Sequence, residues 1–168
     1  MDLPDNYGWV LFMELLILVE YYCTVIYVGY ARKKVFTPKF MSENFGEEFR
    51  NTFRRDPDPL GYPDMGNGRF SEKLSFADWY YFNNAQRVHY NFLEGIHIPL
   101  VCIPIGGVEL EYYTIGLAAA YIAGRAIYAI GYTRVGSKGR LIGVGILDLA
   151  LIGLVVIAFI SSIFMVYN

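Results

Sequence analysis

The sequence predicts an all-α integral membrane protein, a bundle of four transmembrane helices forming one domain over residues 1–168. Three observations carry this expectation. With 55% hydrophobic and 18% charged residues, the chain is too apolar for an average soluble domain. Apolar segments fall at about 7–30, 76–105, 111–132 and 141–167, and each can cross roughly 30 Å of hydrocarbon as a helix. Cations are unevenly placed: nine of the fourteen Lys/Arg lie between Arg32 and Lys73, and three more (Arg134, Lys138, Arg140) follow the third segment. The N-terminus, the turn at residues 106–111 and the C-terminus carry none, so the first and third connections are expected on the cytoplasmic or matrix-like side, with both termini opposite.

The stretch Met1 to Gly8 carries Asp2 and Asp5 rather than a positive n-region, so no signal or transit peptide is read there. The first segment holds two acids at membrane depth, Glu14 and Glu20. A long polar connection follows, about 32–75, with Pro57, Pro59, Pro63 and the turn-rich run Gly61-Tyr62-Pro63-Asp64-Met65-Gly66-Asn67-Gly68. Its composition suits an ordered cap, a partner-binding surface or a mobile loop, and Phe45, Phe49, Phe53 and Phe70 favour a packed cap.

The second segment opens on Ser75-Phe76-Ala77-Asp78, an N-capping pattern. It is read as one helix that tolerates kinks at Pro99 and Pro104. In the third segment Gly116, Ala120 and Gly124 recur every four residues, a small-residue seam for helix packing. Arg125, Tyr128 and Tyr132 share one face of it, able to grip a carboxylate or donate to a thiolate. The same tyrosines also fit an interfacial aromatic belt. The fourth segment carries one charged residue, Asp148.

Several function classes fall away. A net charge of −2 supplies no basic excess for nucleic acid. Cys23 and Cys102, both inside apolar segments, read as buried thiols rather than a disulfide framework. No Cys/His ligand cluster or glycine-rich phosphate loop is present, so neither metal nor nucleotide is expected.

The most informative stretch is Phe82-Asn83-Asn84-Ala85-Gln86-Arg87-Val88-His89-Tyr90-Asn91-Phe92-Leu93-Glu94. Arg87, Asn91 and Glu94 stand at i, i+4 and i+7, one polar stripe on a helix that runs straight into the apolar residues 96–108. Ionisable groups at membrane depth are costly and mark a functional site by default.

This motif closely resembles the second-helix motif of the MAPEG proteins (membrane-associated proteins in eicosanoid and glutathione metabolism), with microsomal glutathione S-transferase type 3 as the nearest branch. Ala31-Arg32-Lys33-Lys34, Gly106-Gly107 and Gly124-Arg125 through Tyr128, Gly131 and Tyr132 extend the likeness over all four helices. The resemblance implies a homotrimer binding glutathione between neighbouring subunits, acting as a transferase or peroxidase on lipid-soluble electrophiles or lipid hydroperoxides drawn from the membrane. Arg87, Asn91 and Glu94 would hold the tripeptide, with Tyr128 and Tyr132 adding contacts and Arg32 reaching in from an adjacent subunit. His89, about 200° around the helix from Arg87, would serve a different subunit's site or act as a hydrogen-bonded interface residue.

Departures from the pattern are equally specific. Gly95 stands where leukotriene-synthase-like members have tyrosine. The thiolate-stabilising arginine is expected at position 139, which is Gly139, so the role would either pass to Arg140 or Arg134, with Tyr128 assisting, or be absent. These departures, the long first connection and the acids Glu14, Glu20 and Asp148 support a second reading, a structural subunit of a larger membrane complex. The expected location is the endoplasmic reticulum or another endomembrane, the alternative a mitochondrial membrane.

Overall fold

The structure is a computed structural model that describes residues 3–58 and 64–167; Gly61, Tyr62 and Pro63 of the expected turn-rich run lie outside the described residues. All its regular elements are helical: α1 (Tyr7–Val35), α2 (Pro38–Phe53), α3 (Phe76–Gly95), α4 (His97–Glu109), α5 (Glu111–Val135) and α6 (Leu141–Tyr167), with a 3-10 turn at Ser71–Lys73. By length and composition α1, α5 and α6 can each cross a membrane, and α3 with α4 forms a fourth candidate bent by 42°. The chain forms two compact units, Met1–Cys23 with Tyr90–Asn168, and Thr24–His89.

In the first unit the expected single second helix is two. Pro99 has no N–H to offer the Gly95 carbonyl, and its ring crowds the preceding turn. The chain therefore bends at Ile96 and restarts as α4. Pro104 stays inside α4. On that helix Ser161 Oγ donates to the Gly106 carbonyl at 3.1 Å, and the Tyr7 hydroxyl donates to the Pro104 carbonyl at 3.1 Å. A Cβ on Gly107 would collide with the Val10 side chain at 2.5 Å, which fixes how closely α1 and α4 approach.

Helices α5 and α6 meet backbone to backbone, but not along the whole expected seam. Gly116 faces open space, whereas a Cβ on Gly124 would stand 2.7 Å from the Leu147 nitrogen. Further along, Gly131 lies against Gly139 and Gly143 against the Tyr128 backbone, so neither position has room for a side chain. Without hydrocarbon–water contrast to drive helices together, such close approach is the main source of association within a bilayer. The connection between them is short: Gly136 takes φ 85° and its N–H caps the Tyr132 carbonyl at 2.9 Å. A five-residue turn of this kind makes α5 and α6 antiparallel neighbours.

In the unit Thr24–His89, α1 runs past residue 30, where the sequence expectation ended it, because Arg32, Lys33 and Lys34 complement the helix C-terminus. Thr37, restricted by the following Pro38, takes extended backbone and ends it. Thr37 Oγ1 then accepts from the Phe40 N–H at 3.2 Å and starts α2, a helix inside the connection whose composition suits a cap, a partner-binding surface or a mobile loop. Its apolar face joins the buried cluster of Val28, Ala31, Val35, Phe36, Met41, Phe45, Phe82 and Ala85. Phe36 meets Phe82 edge-on at 5.3 Å, and Phe45 meets Phe70 at 4.6 Å. Phe53, by contrast, is exposed. Ser75 caps α3 as its spacing suggests, accepting from the Asp78 N–H at 3.1 Å and donating to the Asp78 carboxylate at 2.8 Å.

Asp64 organises the return from α2 to α3. Its carboxylate accepts from the backbone N–H of Gly66 at 3.0 Å and of Phe70 and Ser71 at 2.8 Å each. Gly66, at φ 93°, passes its carbonyl to the Trp79 indole N–H at 2.6 Å. Burial alone would raise the Asp64 carboxyl, but the hydrogen bonds from Ser71, Gly66 and Phe70 outweigh it and hold the group below the ordinary carboxylate value.

A depressed folded-state pKa means the stabilisation is fully present above the ordinary value of about 4 and is lost as pH falls through the lower folded value. Acidification below about pH 4 should therefore release the loop, read as a shift in Trp79 fluorescence. Asp64→Asn should weaken the same segment by roughly 1–2 kcal/mol at neutral pH and abolish that acid-dependent step. An unchanged acid transition in the variant would remove Asp64 from this role.

Candidate functional site

The inward face of α5 carries polar groups at helical spacing: Tyr121, Arg125, Tyr128 and Tyr132, at i, i+4, i+7 and i+11. All four are buried, and Arg125 is only 4% exposed. Tyr128 and Tyr132 therefore face protein, which is not the arrangement of an interfacial belt.

Arg125 makes several bonds within this unit. Its Nη1 donates to the Asn91 side-chain oxygen at 2.8 Å and to the Asn91 carbonyl at 3.4 Å, and its Nε donates to the Tyr121 hydroxyl at 2.9 Å. The guanidinium also lies over the Phe92 ring at 4.7 Å and the Tyr121 ring at 5.1 Å. A Cβ on Gly95 would stand 2.9 Å from Nη2, so the glycine found in place of tyrosine leaves room for this cation. Glu20 on α1 lies within electrostatic reach, and its Oε2 is buried with no hydrogen-bond partner among the described residues.

Farther along α5 the Tyr128 and Tyr132 rings stand 5.7 Å apart, and the Arg140 guanidinium lies 5.6 Å over the Tyr132 ring. Position 139 could not hold the arginine that the resemblance expects there, because the Gly139 backbone presses against Gly131. Arg140, one residue on and half-buried, is the cation beside the tyrosines, whereas Arg134 is exposed.

The remaining expected residues are distributed along α1 and α3. Glu94 is exposed near the end of α3. In the unit Thr24–His89, Arg87 is also exposed, and no ion pair of either residue occurs among the described residues. His89 Nδ1 bonds the Thr24 hydroxyl at 2.9 Å, engaging one ring nitrogen within its own chain. Arg32 is half-buried, with its Nε lacking a partner among the described residues. Among the acids, Glu14 is half-buried and Asp148 is exposed on α6. No group of three His, Cys, Asp or Glu suited to a metal occurs among the described residues, and Cys23 and Cys102 are free thiols. Cys23 is exposed rather than buried as expected.

Sequence reasoning singled out both Arg125 and Asn91 but assigned them to separate constellations, and it missed Tyr121 altogether. The available signal was the spacing: Tyr121 precedes Arg125 by one turn, and a buried arginine on an apolar helix must find acceptors.

Neither the curated proteins nor the solved structures contain a match to this chain. The MAPEG family model matches residues 10–160, nearly the whole chain, and reaches into all the helices described above. This chain is a member of the MAPEG family, membrane proteins of eicosanoid and glutathione metabolism.

Proposed function

We propose that the protein is a glutathione-dependent membrane transferase or peroxidase of the microsomal glutathione S-transferase type 3 kind, acting on lipid-soluble electrophiles or lipid hydroperoxides. One observation carries this reading: Arg87 and Glu94 are exposed on a candidate membrane helix with no ion pair among the described residues. Opposite charges left open at membrane depth suit a ligand that brings both signs. Glutathione has two carboxylates and one ammonium. Arg87, Asn91 and Glu94, all on the uninterrupted helix α3, are assigned to its backbone and charged ends. Tyr128 and Tyr132 add hydroxyl donors, and Arg32 and His89 belong to the contacts that a neighbouring subunit would make in a homotrimer. The membrane that goes with this reading is the endoplasmic reticulum or another endomembrane, with a mitochondrial membrane as the alternative.

The chemistry is that of a thiolate. A free thiol with pKa about 8.5 is mostly protonated near neutrality, and a cation with phenol donors nearby favours the anion. Arg140 is assigned this role, Tyr128 and Tyr132 assisting, because its guanidinium lies over the Tyr132 ring. In conjugation the sulfur forms a bond to the electrophilic carbon as the leaving group departs or the adduct takes up a proton. In peroxide reduction the sulfur attacks one peroxide oxygen, the O–O bond breaks and an alcohol leaves after protonation. A second glutathione then displaces water from the sulfenic intermediate to give the disulfide. A structural subunit of a larger complex is the second reading, favoured by Asp148, a carboxylate exposed on the most apolar of the helices.

Calorimetric titration of the detergent-solubilised protein should show saturable glutathione binding. Arg87→Ala or Glu94→Ala should each weaken it by roughly 1.5–3 kcal/mol, about ten- to a hundredfold in Kd. A folded chain without saturable binding would leave the structural-subunit reading standing. Arg140→Ala should bind glutathione nearly as well as wild type but raise the bound thiol's pKa by about one unit and slow turnover. Thiolate ultraviolet absorbance followed against pH reads that shift, and superimposable curves would transfer attention to Arg134→Ala.

A further inference from the structure

The amide of Asn91 is held in one of its two possible orientations, and the group that holds it is Arg125. A guanidinium has donors and no acceptor, so the Asn91 atom 2.8 Å from Arg125 Nη1 must be the amide oxygen. Turning the amide over would aim two N–H donors at a cation. The guanidinium itself has little freedom. It is pinned through Nε to the Tyr121 hydroxyl at 2.9 Å, lies against the Phe92 and Tyr121 rings, and fills the space left by the missing side chain of Gly95. With its oxygen engaged, the half-buried Asn91 keeps its Nδ2 donors without a partner among the described residues.

We infer that Arg125 is a positioning residue that fixes the Asn91 amide so that it offers only N–H donors to the ligand, which selects a carbonyl or carboxylate oxygen at that point. This rests on the glutathione reading above and deepens it: Asn91 recognises an oxygen of the tripeptide, and Arg125 acts on recognition without touching the ligand. Asn91→Asp separates this role from a structural one. Aspartate still accepts from Arg125 Nη1, so the internal bond survives, but the atom presented to the ligand becomes an anionic acceptor facing an oxygen.

The experiment is glutathione titration of the full chain in detergent, with the unfolding midpoint measured for every variant. Wild type should bind saturably. Asn91→Asp should keep its unfolding midpoint and lose affinity by tenfold or more, on the order of one lost charge-assisted hydrogen bond. Arg125→Met, which frees the amide to rotate, should lose about tenfold, and Arg125→Lys, which restores a donor, should stay within about threefold of wild type. Wild-type affinity in Asn91→Asp, or in a folded Arg125→Met, would overturn the inference while leaving the glutathione reading intact. Failure of folded wild-type protein to bind would overturn the glutathione reading, and this inference with it.

Discussion

A guanidinium removed from water inside an apolar helix is the constraint around which the unit Met1–Cys23 with Tyr90–Asn168 is arranged. Arg125 cannot shed its proton and is only 4% exposed, so its partners come from protein. The partners are specific: the Asn91 oxygen, the Tyr121 hydroxyl and two aromatic faces. They fasten α5 to the last turn of α3, where Gly95 keeps the space clear. The position of α5 is also fixed by close backbone contact, Gly124 with Leu147 and Tyr128 with Gly143 of α6, and Gly131 with Gly139 of the connecting turn. Between these two constraints Tyr128 and Tyr132 have one direction to face, and the short turn at Gly136 delivers Arg140 to the second of them.

The unit Thr24–His89 uses a carboxylate for a comparable purpose. Asp64 draws three backbone N–H groups around itself, and the loop it closes hands a carbonyl to Trp79 on α3. Beneath that loop the phenylalanines of α2 and its neighbours supply an apolar cluster. A connection that is polar by composition is thereby ordered by one half-buried acceptor and a few rings, where its cations alone would have left it solvated.

Much of this was legible because the bilayer allows few solutions. Long apolar runs announced the helices, and α5 and α6 begin where the sequence reading put them. Ser75 with Asp78 announced the start of α3 through side-chain chemistry that acts over three residues. What escaped was set by contacts distant in sequence. The close-packing glycines on α5 lie toward its C-terminal half, a choice made by the α6 backbone that Gly116 and Ala120 could not reveal. Helix α2 carries its apolar residues among charges, and its face has meaning only against the phenylalanines it meets. Glycine at positions 95 and 139 departs from the family pattern. Each clears space, the first for Arg125 and the second for a neighbouring backbone.

The central claim, that the Arg125–Asn91 pair organises its unit, is tested most directly by a double-mutant cycle on unfolding in detergent, using Arg125→Met, Asn91→Leu and the combined variant. Asn91→Leu strands a buried cation and should cost about 3–5 kcal/mol, whereas Arg125→Met strands neutral dipoles and should cost about 1–3 kcal/mol. The account predicts that the combined variant loses less than the two single losses together, with a coupling of at least about 1 kcal/mol, since neither stranded group remains. Losses that add to within about 0.5 kcal/mol would mean the two residues are independent and would contradict it.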